Sequence, residues 1–205
     1  MSTVVFCNRK GGVGKTLSTY YTGRWLARAG RTVHLLDLDP QQGLWDIASL
    51  LGHVDGVLTK RLRLVHPTPP RPASPRDYLL IDTPPALDGS LPALNQADWL
   101  VIPVIPEAQE VAQLTKFLGM LDATRTSRPF TQVLGILPVR FLKRSVVHQM
   151  MLGKIAELAA AHGHRVLDPV PQSLAVTTYS MAGGLWKHVA GELIRLEDAR
   201  SRRAA

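Results

Sequence analysis

The residues best suited to chemistry form one glycine-rich stretch near the N-terminus, residues 8–16, with the sequence NRKGGVGKT. Its glycines carry no Cβ that would keep a phosphate from the main chain, so consecutive N–H groups can point at an anion together with the positive end of a following helix. Lys15 supplies a positive charge for the β and γ phosphates, and the Thr16 hydroxyl can bind Mg²⁺. The stretch therefore predicts a nucleoside triphosphate site made by Lys10, Gly11, Gly12, Val13, Gly14, Lys15, Thr16 and Leu17.

Carboxylates end two of the apolar runs that follow this loop. Residues 32–41 have an apolar body that ends in Asp37 and Asp39, and the apolar residues 78–81 are closed by Asp82. Such runs are typical of buried parallel strands, and open α/β sheets carry their chemistry at the carboxyl ends of the strands. Each run is common alone, but both follow a phosphate loop here. We therefore expect Asp82 to hold Mg²⁺ through water, opposite Thr16.

The loop departs from the general pattern G-x-x-x-x-G-K-[ST] in a way that points to a family. Arg9 stands where that pattern has its first glycine, and a second lysine, Lys10, precedes the glycines. This box resembles the deviant Walker A box of the ParA/MinD family of ATPases, and the chain is most similar to small ParA-type DNA partitioning proteins without an N-terminal helix-turn-helix. The run DLDPQ at residues 37–41 resembles the family's switch I, and the prolines at 84 and 85 resemble its switch II. The resemblance covers essentially the whole chain, with the three boxes in family order.

The resemblance implies a role for each polar residue of these boxes. In the family the extra lysine reaches across a nucleotide-sandwich dimer to the partner's phosphates, and this role would fall to Lys10. The second aspartate of switch I orients the attacking water and the first supports the metal shell, which implies these roles for Asp39 and Asp37. The implied catalytic residues are Lys10, Lys15 and Asp39, the metal residues are Thr16, Asp37 and Asp82, and the adenine contacts are Pro171 and Gln172.

The elements that must position these residues alternate along the chain. Apolar strands are predicted at residues 4–7, within 32–41, and at 57–65, 78–82, 99–104, 131–138 and 165–170, with 57–65 at a sheet edge. Helices are predicted at residues 17–28, 43–51, 108–123, 141–161, 174–181 and 185–200. In the first helix, Gly23 is expected to allow close approach to the sheet. This alternation predicts one α/β domain over residues 1–205, with a doubly wound, mostly parallel sheet and helices on both faces.

Composition adds an expectation about location and partners. The 205 residues carry a formal net charge of +8, and such an excess usually indicates an anionic partner, most often nucleic acid. The chain has no apolar run long enough for a membrane span and no export signal at its N-terminus, so we expect a cytoplasmic protein. Two basic clusters near predicted helix ends are the candidate DNA contacts: Arg140, Lys143 and Arg144, and Arg195, Arg200, Arg202 and Arg203. The proline-rich stretch within residues 57–76, with five lysines and arginines and no acidic residue, is the competing location.

Together with the resemblance, these features imply ATP-driven segregation of plasmid or chromosomal DNA. Mg·ATP would close a homodimer that coats DNA without sequence preference, so that the ATP-bound protein is associated with the nucleoid. A ParB-like centromere-binding partner would then stimulate a hydrolysis that is slow unaided. Three alternatives stay open: a MinD-like positioning ATPase, a ParA-like ATPase that promotes conjugative DNA transfer, and a protein that binds ATP without hydrolysing it. The MinD-like alternative would use an apolar stripe of Trp186, Val189, Leu193 and Leu196 on a membrane, although core packing explains that stripe equally well.

Overall fold

The computed structural model describes residues 1–52, 60–65, 74, 76–85, 93–127, 132–174 and 182–204. In this part of the chain, six strands form one sheet in the order β3-β2-β4-β1-β5-β6. All of the pairings are parallel. The elements are β1 (Ser2–Phe6), α1 (Lys15–Arg28), β2 (Val33–Asp37), α2 (Gly43–Gly52), β3 (Leu62–Val65), β4 (Tyr78–Asp82), β5 (Trp99–Val104), α3 (Ala108–Ser127), β6 (Gln132–Pro138), α4 (Val146–Ala161), a 3₁₀ helix (Ala182–Trp186) and α5 (Lys187–Ala204).

The carboxyl ends of β2 and β4 carry acidic residues and lie at the same edge of the sheet. Strands β2, β4 and β5 are buried at every position, as expected when both faces of a parallel sheet are covered. In the register of the sheet, Asp82 is paired with Phe6 on one side and with Asp37 on the other. The carboxylates predicted to act together therefore lie on adjacent strands, beside the loop that follows β1. The predicted α/β architecture is confirmed.

Helix α1 approaches the sheet closely at one glycine, Gly23. A Cβ built on Gly23 would lie 2.9 Å from Leu35 Cδ2 and 3.3 Å from side-chain carbons of Leu62 and Leu80. Those distances are shorter than a normal carbon contact, so any larger residue would displace these leucine side chains or push the helix outward. The predicted close approach at Gly23 is confirmed, and it holds the N-terminus of α1 at the edge that carries the carboxylates.

Two predictions about the second half of the chain are wrong. The predicted helix at 141–161 begins only at Val146, because Arg140 has a positive φ of 54° and Ser145 caps the helix by accepting a hydrogen bond from the His148 N–H. The predicted strand at 165–170 makes only isolated bridges, Ile136 with Val166 and Phe141 with Pro171. Prolines at 169 and 171 cannot donate a hydrogen bond to a ladder, which explains why no regular strand forms.

The C-terminal part of the chain packs on α1. The rings of Tyr21 and Trp186 stack with centroids 4.8 Å apart, and Trp186 Nε1 donates to Ser18 Oγ at 3.1 Å. Val189 and Leu193 are buried in the same core, so this apolar stripe packs inside the protein and is not available to a membrane surface. No helix in the described ranges is long and apolar enough to cross a membrane.

The remaining predicted elements are only partly described. The edge strand predicted at 57–65 is present as β3, which pairs with β2 at the edge of the sheet, while residues 57–59 lie outside the described residues. The helix predicted at 174–181 also lies outside them, except for Leu174.

Candidate functional site

The loop between β1 and α1 has the backbone shape that an anion site needs. Gly12 and Gly14 have φ values of 76° and 79°, in the left-handed region where a side chain would be strained. A Cβ added at Gly11 or Gly12 would meet no atom within 4 Å, so the loop faces open space. Gly14 is the N-cap of α1 and makes no side-chain cap, so the first N–H groups of the helix, which have no intrahelical acceptor, are left without a capping side chain. These free donors and the positive end of the helix suit a phosphate group.

Lys15 lies inside this loop and faces the buried carboxylate. Only 5% of Lys15 is exposed, and its Nζ donates to the Lys10 carbonyl at 3.0 Å. Burial lowers the pKa of Lys15, and the negative charge of Asp82 opposes that change. The ammonium is thus held at the centre of the loop by main-chain oxygen, ready to pair with an incoming anion.

Asp82 is the best candidate for a metal contact. It is fully buried, and neither carboxylate oxygen has a hydrogen-bond donor among the described residues. Burial raises the pKa of Asp82 to about 7. The nearby Thr16 hydroxyl and the Lys15 ammonium oppose this rise, although the hydroxyl lies outside hydrogen-bonding geometry. A buried carboxylate without donors, beside a hydroxyl and an anion cradle, fits a hydrated Mg²⁺ bound together with phosphate. Thr16 and Asp82 would hold that ion.

Asp37 and Asp39 have different surroundings although they are two residues apart. Asp37 is buried, and its two oxygens accept the N–H groups of Asp39 and Leu44, each at 3.0 Å. Burial raises the pKa of Asp37, while these N–H groups oppose the rise. Asp37 therefore shapes the turn before α2. Asp39 is half-buried and accepts the Gln41 N–H at 3.0 Å, which leaves its other oxygen able to reach a water at the mouth of the site.

A cavity of about 630 Å³ opens beside the phosphate loop. Gly14 and Leu17 form one wall, and the loop containing Pro171 and Gln172 forms another. This volume lies within the usual range for small-molecule pockets, and its mixed apolar and polar lining suits a base and ribose. Both residues predicted to contact adenine are thus in the cavity wall.

Arg140 lies in a place that the sequence does not predict. The sequence groups it with Lys143 and Arg144 as a DNA contact, but the structure places it in the wall of this cavity. Its positive φ turns the chain at the end of β6, so that it faces the cavity beside Val139 and His148. Lys143 and Arg144 are exposed in the turn before α4, at the same edge of the sheet.

The second basic cluster lies on α5, and two of its four arginines form ion pairs. Arg195 Nη1 lies 2.9 Å from Glu192 Oε1, and Arg200 Nη1 lies 3.1 Å from Asp98 Oδ1. The Arg200 guanidinium also covers the Trp99 ring, 4.9 Å from its centroid. Asp98 and Trp99 are at the start of β5, so Arg200 lies at the edge opposite the phosphate loop. Arg202 is exposed, and the side chain of Arg203 lies outside the described residues.

Two residues of the loop region have roles that the sequence does not predict. Asn8 is buried, and its side-chain Nδ2 donates to the Pro103 carbonyl at 2.7 Å, which ties the loop to β5. Glu110, in the first turn of α3, lies 2.6 Å from Lys10 Nζ. Asn8 could have been suspected from its place directly before the loop. Glu110 gave no signal, because it is an ordinary helical glutamate one hundred positions away.

Comparison with known proteins agrees with this geometry. The family CbiA, the CobQ/CobB/MinD/ParA nucleotide binding domain, matches residues 4–185. The chromosome-partitioning ATPase Soj of Thermus thermophilus is 30% identical over 196 residues, which cover 80% of this chain and 78% of Soj. The maintenance of carboxysome distribution protein A of Halothiobacillus neapolitanus is 29% identical over 142 residues, 62% of this chain and 61% of that protein.

Solved structures support the fold. Apo McdA from Cyanthece has a TM-score of 0.77 at 20% identity and covers 94% of this chain and 99% of its own. Cobyrinic acid a,c-diamide synthase from Mycobacterium smegmatis, with a bound ATP analog and magnesium, has a TM-score of 0.73 at 22% identity and covers 95% of each chain.

Proposed function

Because the chain belongs to the CobQ/CobB/MinD/ParA family of nucleotide-binding domains and is an ATPase of the ParA/MinD kind, we propose that it partitions DNA by switching with Mg·ATP between a monomer and a DNA-bound homodimer. The observation that carries the proposal is the deviant loop itself. Lys15 is buried at its centre, whereas Lys10 extends at its rim with 35% of its side chain exposed. A lysine at the rim can reach a phosphate that belongs to a second copy.

The site supplies charge and position for hydrolysis. Lys15 and the first N–H groups of α1 bind the β and γ phosphates and offset the charge that develops on the transferred phosphoryl group. Thr16 and Asp82 would hold Mg²⁺, which would supply further charge neutralisation. Asp39 orients the attacking water from its half-buried position, and Asp37 holds the turn that carries Asp39. The base lies in the cavity between Leu17 and the loop of Pro171 and Gln172.

Hydrolysis is slow in this scheme until a partner acts. Asp39 lies in a turn at the mouth of the site, so the geometry of its water depends on how that turn is held. A ParB-like centromere-binding protein that fixes the turn in the dimer would accelerate the step. The rate of ATP hydrolysis would therefore set how long the protein stays bound to DNA.

We assign the ATP-dependent DNA contact to Lys143 and Arg144. They are exposed and lie at the nucleotide edge, where closure of a dimer would bring two copies of the pair together. Arg195 and Arg200 are engaged by acidic neighbours, and Arg200 lies at the opposite edge. The names of the relatives refer to chromosomes and to carboxysomes, so the choice of DNA as the partitioned cargo is the more specific part of this proposal. The net charge of +8 favours DNA as the surface that the protein binds.

The test is DNA binding by fluorescence anisotropy on two duplexes of unrelated sequence, with and without Mg·ATP, across a salt series. We expect equal binding to both duplexes that requires ATP. Lys143→Ala/Arg144→Ala should weaken binding to both and reduce the slope of log affinity against log salt by about 1.8 per protomer, at ~0.9 for each phosphate that is no longer neutralised. The charge-matched control, Arg195→Ala/Arg202→Ala, removes two arginines from α5 and should change the slope much less. Binding that ignores ATP, or a larger effect in the control, contradicts the assignment.

A further inference from the structure

The rim lysine of the phosphate loop is already engaged within its own protomer. Lys10 Nζ lies 2.6 Å from Glu110 Oε1, a short charge-assisted contact. The two partners differ in exposure, because 35% of the Lys10 side chain is accessible but only 6% of the Glu110 side chain. The other Glu110 oxygen, Oε2, is buried without a hydrogen-bond partner in the described part of the chain. The Glu110 carboxylate therefore depends on Lys10.

The surroundings of the pair keep Glu110 in place. Glu110 is in the first turn of α3, which follows the carboxyl end of β5. Asn8 binds the Pro103 carbonyl in β5 through Nδ2, and its Oδ1 accepts the Lys10 N–H at 3.3 Å. The main chain of Lys10 is thus connected through Asn8 to β5, the strand that precedes α3. The Lys10 side chain remains able to move between Glu110 and another partner.

This mobility of the Lys10 side chain links the Lys10–Glu110 pair to dimerisation. The Glu110 carboxylate offsets the charge of this ammonium and occupies one of its three N–H donors, so it competes with a phosphate of another copy for Lys10. When Lys10 leaves, Glu110 becomes a buried charge without its partner, and such a state is costly. Exposed ion pairs contribute little, but this pair has one buried member and so opposes departure of the lysine.

We propose that Glu110 is a positioning residue that retains Lys10 inside its own protomer until the phosphates of ATP bound to a second copy compete for it. The inference rests on the proposed ATP-dependent homodimer and adds a residue that controls the protein concentration at which the dimer forms. Glu110 sets how much ATP-bound protein must accumulate before the dimer forms. Loss of the carboxylate frees Lys10, so the dimer forms more readily. This direction separates the proposal from a merely structural role, because damage to the fold weakens an assembly.

The experiment compares wild type, Glu110→Gln and Glu110→Asp by light scattering across protein concentration in saturating Mg·ATP. Glu110→Gln keeps the shape but removes the charge, and we expect its dimer dissociation constant to fall by roughly 10-fold or more, the scale of a lost hydrogen bond to a charged group. Glu110→Asp keeps the charge with a shorter reach and should give an intermediate value. ATP affinity, measured where the protein is monomeric, should be the same in all three. Glu157→Gln, which neutralises an exposed carboxylate on α4, should behave as wild type.

The outcomes separate the two proposals. A wild type that stays monomeric in Mg·ATP overturns the proposed function and this inference with it. If wild type dimerises but folded Glu110→Gln dimerises equally or less well, the inference alone is wrong. Thermal unfolding shows whether Glu110→Gln is folded, and if it is not, Glu110→Asp decides: tighter dimerisation supports retention of Lys10, and unchanged or weaker dimerisation overturns it.

Discussion

Replacement of Asp82 by asparagine tests the metal site through the stability of the nucleotide-free protein. The carboxylate is completely buried, and burial raises its pKa from an ordinary value of 3.8 to about 7. A pKa that is higher in the folded state means that the folded protein binds this proton more tightly than the unfolded chain. The resulting stabilisation is complete below about pH 4 and is lost as the pH rises through about 7. Without metal, ionised Asp82 therefore destabilises the protein at neutral pH.

The size of the effect follows from the same values. A rise from 3.8 to about 7 corresponds to at most about 4 kcal/mol, at ~1.36 kcal/mol for each pH unit. The pKa of about 7 already includes the opposing charge of Lys15, so this figure is an upper bound and we expect a measurable change. Asparagine has nearly the same shape and never ionises. Asp82→Asn should therefore remove the loss of stability between pH 5 and pH 8, and at pH 8 it should be more stable than wild type in the absence of metal and nucleotide.

The assay is urea unfolding in EDTA at pH 5, 6, 7 and 8, repeated with saturating Mg·ATP. Mg·ATP should stabilise wild type at pH 8 by RT ln(1 + [L]/Kd), about 2.7 kcal/mol at a hundredfold excess over Kd, and should stabilise Asp82→Asn much less. Asp39→Asn is the matched control, since this carboxylate at the same edge is half-buried and makes only the smallest of the contributions that raise the pKa of Asp82, so the variant should retain most of the wild-type pH dependence. Wild-type pH dependence in Asp82→Asn would show that the carboxylate is already compensated, and full stabilisation of that variant by Mg·ATP would place the metal elsewhere.

Three further substitutions test other parts of the site and its support. Lys15→Ala should reduce ATP affinity at least ~10-fold, because the phosphates lose their central cation, and calorimetric titration that gives wild-type affinity would mean that the loop is not the site. Asp39→Ala should bind ATP and dimerise but hydrolyse at least ~10²-fold more slowly in a phosphate-release assay, and unchanged turnover would assign the water to another residue. Gly23→Ala should lower stability by about 1–3 kcal/mol, because its Cβ would lie 2.9 Å from Leu35. Equal urea midpoints for Gly23→Ala and wild type would show that α1 can move outward without cost.

The part of the site that could be predicted from the sequence is the part built from short local patterns. The phosphate loop follows an apolar strand and Asp82 is the last residue of another, so the strands fix where these side chains lie. Periodicity is less informative after β6. Apolar spacing continues back to residue 141, but the left-handed backbone at Arg140 and the Ser145 cap set the start of α4. Prolines at 169 and 171 are visible in the sequence and should have counted against a strand.

Contacts between distant parts of the chain could not be predicted in this way. Lys10 and Glu110 meet because the loop after β1 and the helix after β5 follow adjacent strands, which only the strand order shows. The cavity position of Arg140 depends on the same arrangement, since β6 lies at the sheet edge beyond β5. The number of positive charges in a sequence does not distinguish Arg140 from Lys10, although Arg140 faces a cavity and Lys10 is paired with a carboxylate.

The charge at the opposite edge of the sheet shows why net charge does not locate a binding surface. Glu197 on α5 is buried, accepts the Tyr78 hydroxyl at 2.7 Å, and lies 3.0 Å from Arg31 Nε. Arg200 is held by Asp98 at the start of β5. These arginines fasten α5 across the amino ends of the strands, and each is partly neutralised by the contact that holds it. The positive charge that is free to meet DNA is therefore concentrated where no acidic neighbour engages it, and in the described part of the chain Lys143 and Arg144 combine that freedom with a position at the nucleotide edge. In the proposed function, ATP controls DNA binding through these two residues because the dimer would close at the edge that carries the phosphate site.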